Sequence, residues 1–172
     1  MKKFTVLVLV VIMTLGVAGS AFAVETLDTN DMQQREERQS KASNRFEAMK
    51  EFNDEHDQIR VLRIERNHLQ IERMEKAGVI YDLLIIAWDN NETEKLRAAR
   101  EIRKENIEIN REIRALHEQV RTARKEFKEN VKAGDFATAQ IHVDEVIKLL
   151  GEINRHNNIK VTNLDEIISV LQ

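Results

Sequence analysis

The chain of 172 residues contains no cysteine and no proline, and it has only five glycines. Without cysteine, neither a disulfide framework nor a thiolate-ligated zinc or iron–sulfur site can form. Without proline, and with so few glycines, the chain lacks the residues that usually mark the turns of β-sandwiches and loop-rich enzymes. These absences favour long, uninterrupted helices.

Charge is plentiful but almost balanced. Charged residues make up 33% of the chain and the formal net charge is −3, while aromatic residues account for only 5%. Acidic and basic side chains alternate along the sequence, with no basic block of the kind that binds a phosphate backbone. The composition therefore argues against nucleic acid as a partner.

The N-terminus has the three parts of a secretory signal peptide. Lys2 and Lys3 precede the apolar run 4–18, and the small-residue sequence 21–23 follows, so we expect cleavage after Ala23. An uncleaved membrane anchor is the alternative, although the apolar run is shorter than the ~20 residues that span a bilayer. Residues 1–23 are thus predicted to be a signal peptide on an exported protein, with no transmembrane segment once it is removed.

The remainder is predicted to be all-α. A flexible leader over 24–30 precedes a single elongated helical domain over 31–172, with helices at about 31–88, 92–133 and 136–171. The expected architecture is a long antiparallel helical hairpin or a three-helix bundle with coiled-coil-like packing.

Helix ends and bends are predicted from a few polar residues and glycines. Gly78 is a candidate bend in the first helix, and Asn91 with Glu94 resembles a capping box at the start of the second. Gly134 can take a positive φ and stop that helix, and Asp135 can cap the next one.

The second and third helices carry apolar residues at alternating spacings of three and four. One such seam runs through Ile102, Ile109, Ile113, Leu116, Val120, Ala123 and Phe127, and the other through Phe136, Ala139, Val143, Val146, Leu150, Ile153, Val161, Leu164 and Ile168. Two seams joined by a short turn should pack against each other. Asn106 and Asn157 interrupt the seams, and they either set the helix register or point to solvent at a helix edge.

No catalytic signature is present in the sequence. The chain contains no P-loop, no dinucleotide fingerprint, no Gly-x-Ser-x-Gly elbow and no His-Glu-x-x-His. Rod-like helices with almost no loops also offer few ways to bring polar groups together in a closed cleft. We therefore predict that the protein is not an enzyme and needs no cofactor.

Metal binding is a separate hypothesis. His142 and Glu145 lie one turn apart and could reach a common ion, with His156 as a further candidate ligand for zinc or another divalent metal. The alternative is that these histidines are exposed or partly packed at helix edges.

The segment 79–88 is apolar on nearly every side rather than along one stripe. A helix of this kind needs more than one partner surface. Either the ends of the other helices or a dimer partner wrap it, or it is a surface for unfolded chains. The candidate partner-binding residues are Val79, Ile80, Tyr81, Leu84, Ile85 and Trp88.

The chain from 114 to 171 resembles the helical core of the Spy/CpxP group of periplasmic chaperones and envelope-stress adaptors, which is similar to periplasmic heavy-metal-responsive proteins. The likeness lies in the helix end 127–132, the turn 133–139 and the closing segment 167–171, and it covers about a third of the chain. The Leu-Thr-x-x-Gln motif of that group is absent from this sequence.

The resemblance implies a periplasmic homodimer of helical hairpins that holds partly unfolded or envelope proteins without ATP, or a related stress adaptor. A secreted, self-associating structural or adhesin-like hairpin is the first alternative. A periplasmic metal-binding or metal-sensing protein that uses His142, Glu145 and His156 is the second.

Overall fold

The computed structural model describes residues 29–172, which form four helices. Their bounds are α1 Thr29–Glu51, α2 Asn53–Asp89, α3 Thr93–Ala133 and α4 Phe136–Leu171. No strand is present between Thr29 and Gln172, so the prediction of an all-α bundle is confirmed. The predicted signal peptide 1–23 and most of the predicted leader lie outside the described residues.

The predicted single helix 31–88 is wrong, because the chain kinks at Phe52. This residue has φ −100° and ψ 27° between α1 and α2, and its side chain is completely buried. Its ring packs edge-on against Phe127 and Phe136, with ring centroids 5.2 Å and 6.0 Å away. At Gly78, where a bend was predicted, the helix assignment of α2 continues without interruption.

The predicted capping box at the start of α3 is also wrong. Asn91 has φ 60° and ends α2 instead of capping α3, which has no side-chain cap. The Glu92 amide donates to the Ala87 carbonyl at 2.8 Å, and the Asn91 amide donates to the Trp88 carbonyl at 3.0 Å. This is a Schellman motif, and asparagine tolerates the left-handed conformation that it requires.

The turn between α3 and α4 follows the prediction. Gly134 has φ 77°, and the amides of Gly134 and Asp135 donate to the carbonyls of Val131 and Asn130. The Asp135 carboxylate then accepts a hydrogen bond from the Thr138 amide at 3.0 Å and caps α4. Hydrogen bonding from the Thr138 side chain and from its amide favours the ionised carboxylate, so the pKa of Asp135 is lowered.

Helix α4 lies between α2 and α3. It runs antiparallel to α3 and parallel to α2, since Asn154 donates to the Leu62 carbonyl at 2.9 Å and Asp165 pairs with Lys76 further along both helices. Both outer helices pack extensively on α4, but α2 and α3 scarcely touch each other. Helix α1 contacts the bundle near its end, where the Asn44 amide donates to the Lys132 carbonyl at 3.2 Å.

The core consists of two apolar clusters separated by a polar layer. The cluster nearer the α3–α4 turn contains Phe52, Val120, Val143, Val146 and Ile153, and the one nearer the α2–α3 turn contains Ala87, Ala99, Ile167 and Leu171. Each large apolar side chain buried in these clusters contributes roughly 1.5–3 kcal/mol. Asn106, Asn157, Lys160 and Asn163 are buried between the two clusters.

The two asparagines whose direction was left open both point inward. Asn106 and Asn157 are buried, and the Asn163 side chain donates to the Asn106 Oδ1 atom at 3.2 Å. Asn157 donates to the Ile153 carbonyl at 2.9 Å on its own helix. Hydrogen bonding therefore compensates for the burial of both amides.

Candidate functional site

The apolar segment 79–88 forms the end of α2, and its side chains divide between two faces. Ile80 and Leu84 are partly buried and pack on the cluster near the α2–α3 turn. Tyr81 and Trp88, in contrast, are 66% and 73% exposed, and Val79 and Ile85 are also exposed. Only part of the predicted surface is therefore open to a partner.

The exposed part belongs to a longer stripe along α2, which we call the α2 stripe. Its members are large apolar side chains that all face solvent, namely Ile64, Ile71, Met74, Tyr81, Ile85 and Trp88. Their spacing is seven, three, seven, four and three residues, with Asn67 and Gly78 at the two remaining positions of the heptad pattern. Helix α2 thus carries a second coiled-coil-type seam in addition to the one packed on α4.

A groove lies between α2 and α3, with α4 as its floor. Its volume is about 1020 Å³, at the upper end of the ~300–1,000 Å³ typical of small-molecule sites. Near the α2–α3 turn the groove is lined by Ile80, Leu84, Leu96, Leu164 and Ile167. We call it the Lys160 groove, after the residue in its floor.

The charges that line the Lys160 groove are all positive. They are the side chains of Arg73 from α2, Arg100, Arg103 and Lys104 from α3, and Lys160 from α4, and no carboxylate lines the groove. Lys104 pairs with Glu101 at 2.8 Å, but no ion pair within residues 29–172 involves the other four. This is unusual in a chain with 30 acidic and 27 basic residues, where most surfaces mix both signs.

Lys160 is the most constrained of these cations. Its side chain is only 5% exposed, and the ammonium group donates to the Asn110 Oδ1 atom at 2.5 Å. Burial, together with the nearby Arg73 charge, lowers the pKa of Lys160 to about 8. A buried ammonium with a neutral partner is costly, because the desolvation penalty is not offset by an opposite charge.

A second group of cations continues along α3 toward the α3–α4 turn. A shallow depression there is lined by Arg114, Arg121, Arg124, Lys125, Lys128, His117 and a single carboxylate, Glu118. Burial lowers the pKa of Arg124, and so do the charges of Arg63 and Arg66 on α2. Burial and the charges of Arg66, Arg124 and Arg121 likewise lower the pKa of His117. The face between α2 and α3 is therefore cationic over much of its length.

The structure brings two of the three candidate metal ligands, His142 and Glu145, close together, but not His156. His142 Nδ1 lies 3.2 Å from Glu126 Oε2 on α3 and 3.9 Å from Glu145 Oε2, and His156 Nδ1 lies 3.2 Å from Glu112 Oε2. The two histidines are 14 residues apart on α4, or about 21 Å along its axis. Among residues 29–172, no group of three or more His, Asp or Glu side chains has an arrangement that could hold a metal ion.

Sequence reasoning missed the Lys160 groove and the full length of the α2 stripe. The signal for Lys160 was its spacing, three residues after Asn157 and four before Leu164, which places it on the same face of the helix as these two seam positions. The full stripe was not recognised because α2 carries two sets of apolar residues with heptad spacing, the stripe and the inward-facing set that includes Ile59, Leu62 and Leu69. The two sets alternate along the sequence.

None of the helices between Thr29 and Leu171 is both long enough and apolar enough to span a membrane. Comparison of the chain with protein-family models, with curated proteins and with solved structures gave no match.

Proposed function

We propose that the protein is an exported, ATP-independent binding protein that holds partly unfolded polypeptides, as a periplasmic chaperone or envelope-stress adaptor. The observation that carries this proposal is the α2 stripe, a row of large apolar side chains that faces solvent along one helix. We infer export from the signal-peptide pattern of residues 1–23. We infer a periplasmic location from the resemblance of the segment 114–171 to the Spy/CpxP group.

The α2 stripe supports holding because exposed apolar area is the main source of affinity for unfolded chains. Contiguous apolar surface of this kind marks interaction sites, and each Å² removed from water contributes about 25 cal/mol. Binding that depends on area rather than on directed hydrogen bonds accepts many sequences. Exposed charged residues of both signs, such as the ion-paired Asp57 and Arg60, continue the solvent-facing surface of α2 before the stripe begins.

The test is suppression of the aggregation of a chemically unfolded client by the purified chain. The double variant Ile71→Asp/Ile85→Asp should lose most of this suppression, because both side chains are exposed members of the stripe. The matched control is Ile141→Asp/Ile159→Asp, which makes the same change at two exposed positions on α4. Suppression that is equal in both variants, with unchanged helical circular dichroism, would contradict the proposal.

Self-association is the second candidate function, and the heptad spacing of the α2 stripe favours it. An exposed seam with spacings of three and four is the pattern by which one helix packs on another. A homodimer through α2 agrees with both candidates, because a dimer can open to admit a client. Growth beyond a dimer with rising concentration, measured by light scattering, would favour the structural or adhesin-like protein over the chaperone.

A further inference from the structure

We propose that the Lys160 groove binds a single-chain amphiphile with a carboxylate headgroup, that is, a long-chain fatty acid. The carboxylate lies at Lys160 and Arg73, and the acyl chain extends past Leu84 and Ile167 toward the α2–α3 turn. This site goes beyond the proposed holding of polypeptides, since the groove shares only Tyr81 with the α2 stripe and is otherwise lined by other residues.

The first argument is charge. The groove is lined by five cationic side chains and by no carboxylate, although the chain as a whole has an excess of acidic residues. Like charges gathered on three helices repel one another, and an anion in the groove would relieve that repulsion. The missing counter-charge therefore identifies the sign of the ligand.

The second argument is the burial of Lys160. A lysine on the rim of the groove could attract anions while its ammonium stays in water, at little cost to stability. Lys160 instead sits in the floor with 5% of its surface exposed, and its ammonium contacts an amide oxygen, that of Asn110. A desolvated cation with donor capacity left over is well suited to a buried ion pair with an incoming carboxylate.

The third argument is how charge is arranged along the groove. Arg73 and Lys160 line its mid-bundle end, and Leu84, Leu96 and Ile167 line its end near the α2–α3 turn, with Arg100 and Arg103 beside them on α3. Apolar side chains thus extend away from the buried ammonium of Lys160, and cations lie along the same groove. An anionic headgroup at Lys160 can therefore be followed by an acyl chain that covers the apolar side chains.

The position of the cations favours a carboxylate over a phosphate headgroup. Arg73, Asn110 and Lys160 all lie in the middle of their helices, so no helix N-terminus points its free amides at the headgroup. Phosphate sites commonly use such amides together with basic side chains. Two cations and an amide are sufficient for the single charge of a carboxylate.

The experiment is calorimetric titration of the full chain with dodecanoate below its micelle concentration. We expect saturable binding of one dodecanoate per chain, at least tenfold tighter than that of dodecyltrimethylammonium, which has the same tail and the opposite charge. Decanoate should bind more weakly, with a limit of about fourfold for each methylene that becomes fully buried. Equal affinity for the cationic amphiphile would overturn the proposal, and so would dodecyl phosphate binding more than tenfold tighter than dodecanoate.

The residue-level test is Lys160→Met, which should weaken dodecanoate binding at least tenfold. Its control is Lys148→Met, the same change at an exposed lysine on the same helix, which should leave binding unchanged. If Lys160→Met does not fold, Arg73→Gln against Arg63→Gln makes the comparison on α2, where Arg73 lines the groove at the proposed headgroup position and Arg63 does not line it. Unaltered affinity in a folded Lys160 or Arg73 variant would refute the site.

The failure of this site and the failure of the proposed function are separate results. Dodecanoate binding depends on Lys160, whereas the suppression of aggregation depends on Ile71 and Ile85. Loss of dodecanoate binding in Lys160→Met with full suppression would support the groove and leave the holding function intact. The same affinity in the Ile71→Asp/Ile85→Asp variant as in the original chain would support two separate surfaces.

Discussion

The ammonium group of Lys160 donates to the amide oxygen of Asn110 on the facing helix, and no carboxylate lines the groove around it. A lysine in an apolar seam normally has its charge in water or next to an acid. Here the charge is retained among Arg73, Asn106 and Asn110 between two apolar clusters. This position costs stability in the unliganded fold, and it explains why the pKa of Lys160 is lowered.

Removing that charge should stabilise the protein. We expect Lys160→Met to raise the free energy of unfolding at pH 7 by about 1–3 kcal/mol, because an apolar side chain of similar length replaces a buried cation. Urea denaturation measures this change, with Lys148→Met as the exposed control. A loss of stability would mean that the hydrogen bond to Asn110 outweighs the burial of the charge.

The same lysine sets a pH dependence of defined sign. Its pKa is about 8 in the folded chain against an ordinary lysine value of 10.5, so the unfolded chain binds more protons between these limits. The free energy of unfolding of the original chain therefore increases as the pH rises from 8 to 10.5, because the cost of burying the charge of Lys160 is progressively removed. The extra stability of Lys160→Met over the original chain should shrink over the same interval. An advantage that stays constant from pH 7 to pH 10.5 would contradict the assignment.

The kink at Phe52 should be one of the positions where the fold is most sensitive. Its side chain is fully buried and contacts two other aromatic rings, so Phe52→Ala should cost about 3–5 kcal/mol of unfolding free energy. Phe46→Ala, on an exposed face of α1, should change it by less than about 0.5 kcal/mol. Thermal or urea unfolding distinguishes the two, and similar losses in both would show that α1 packs more tightly than its exposure indicates.

The helices of the second half could be predicted from sequence because one simple rule governs them. Apolar spacing gave the seams of α3 and α4, and Gly134 with Asp135 gave the turn between them. The kink at Phe52 could not be predicted, because it depends on where Phe127 and Phe136 lie in space. Asn91 was assigned to the wrong helix end, since asparagine serves both as an N-cap and in a left-handed C-terminal turn.

The Lys160 groove could not be predicted for a related reason. The heptad pattern shows which face of each helix is inward, but it does not say that α2 and α3 remain apart beside Lys160. The cations of the groove come from three helices and are separated by up to 87 residues in sequence, from Arg73 to Lys160. No local pattern brings them together, and only their packing on α4 does.

The single tryptophan provides a reporter that tells the two surfaces apart. Trp88 is 73% exposed at the end of the α2 stripe and does not line the Lys160 groove. An unfolded client bound on the stripe should therefore shift the fluorescence emission of Trp88 to shorter wavelength. Dodecanoate at saturation should leave the emission of Trp88 nearly unchanged. Fluorescence titration of the full chain with each ligand measures this. A comparable blue shift with dodecanoate would place the amphiphile on the stripe instead.

The polar layer between the two clusters makes a prediction about pairs of residues. Asn163 donates to Asn106 at 3.2 Å, and both side chains are buried. Asn106→Leu alone leaves the Asn163 amide without this partner and should cost about 1–3 kcal/mol, whereas the double variant Asn106→Leu/Asn163→Leu should be nearly neutral or stabilising. A double-mutant cycle by urea denaturation gives the coupling energy between the two side chains.

The same polar layer can fix the register of α3 on α4, because two apolar seams without a polar residue can pack in more than one register. If it does, the double variant should lose the sharp, cooperative unfolding of the original chain while keeping its helical content.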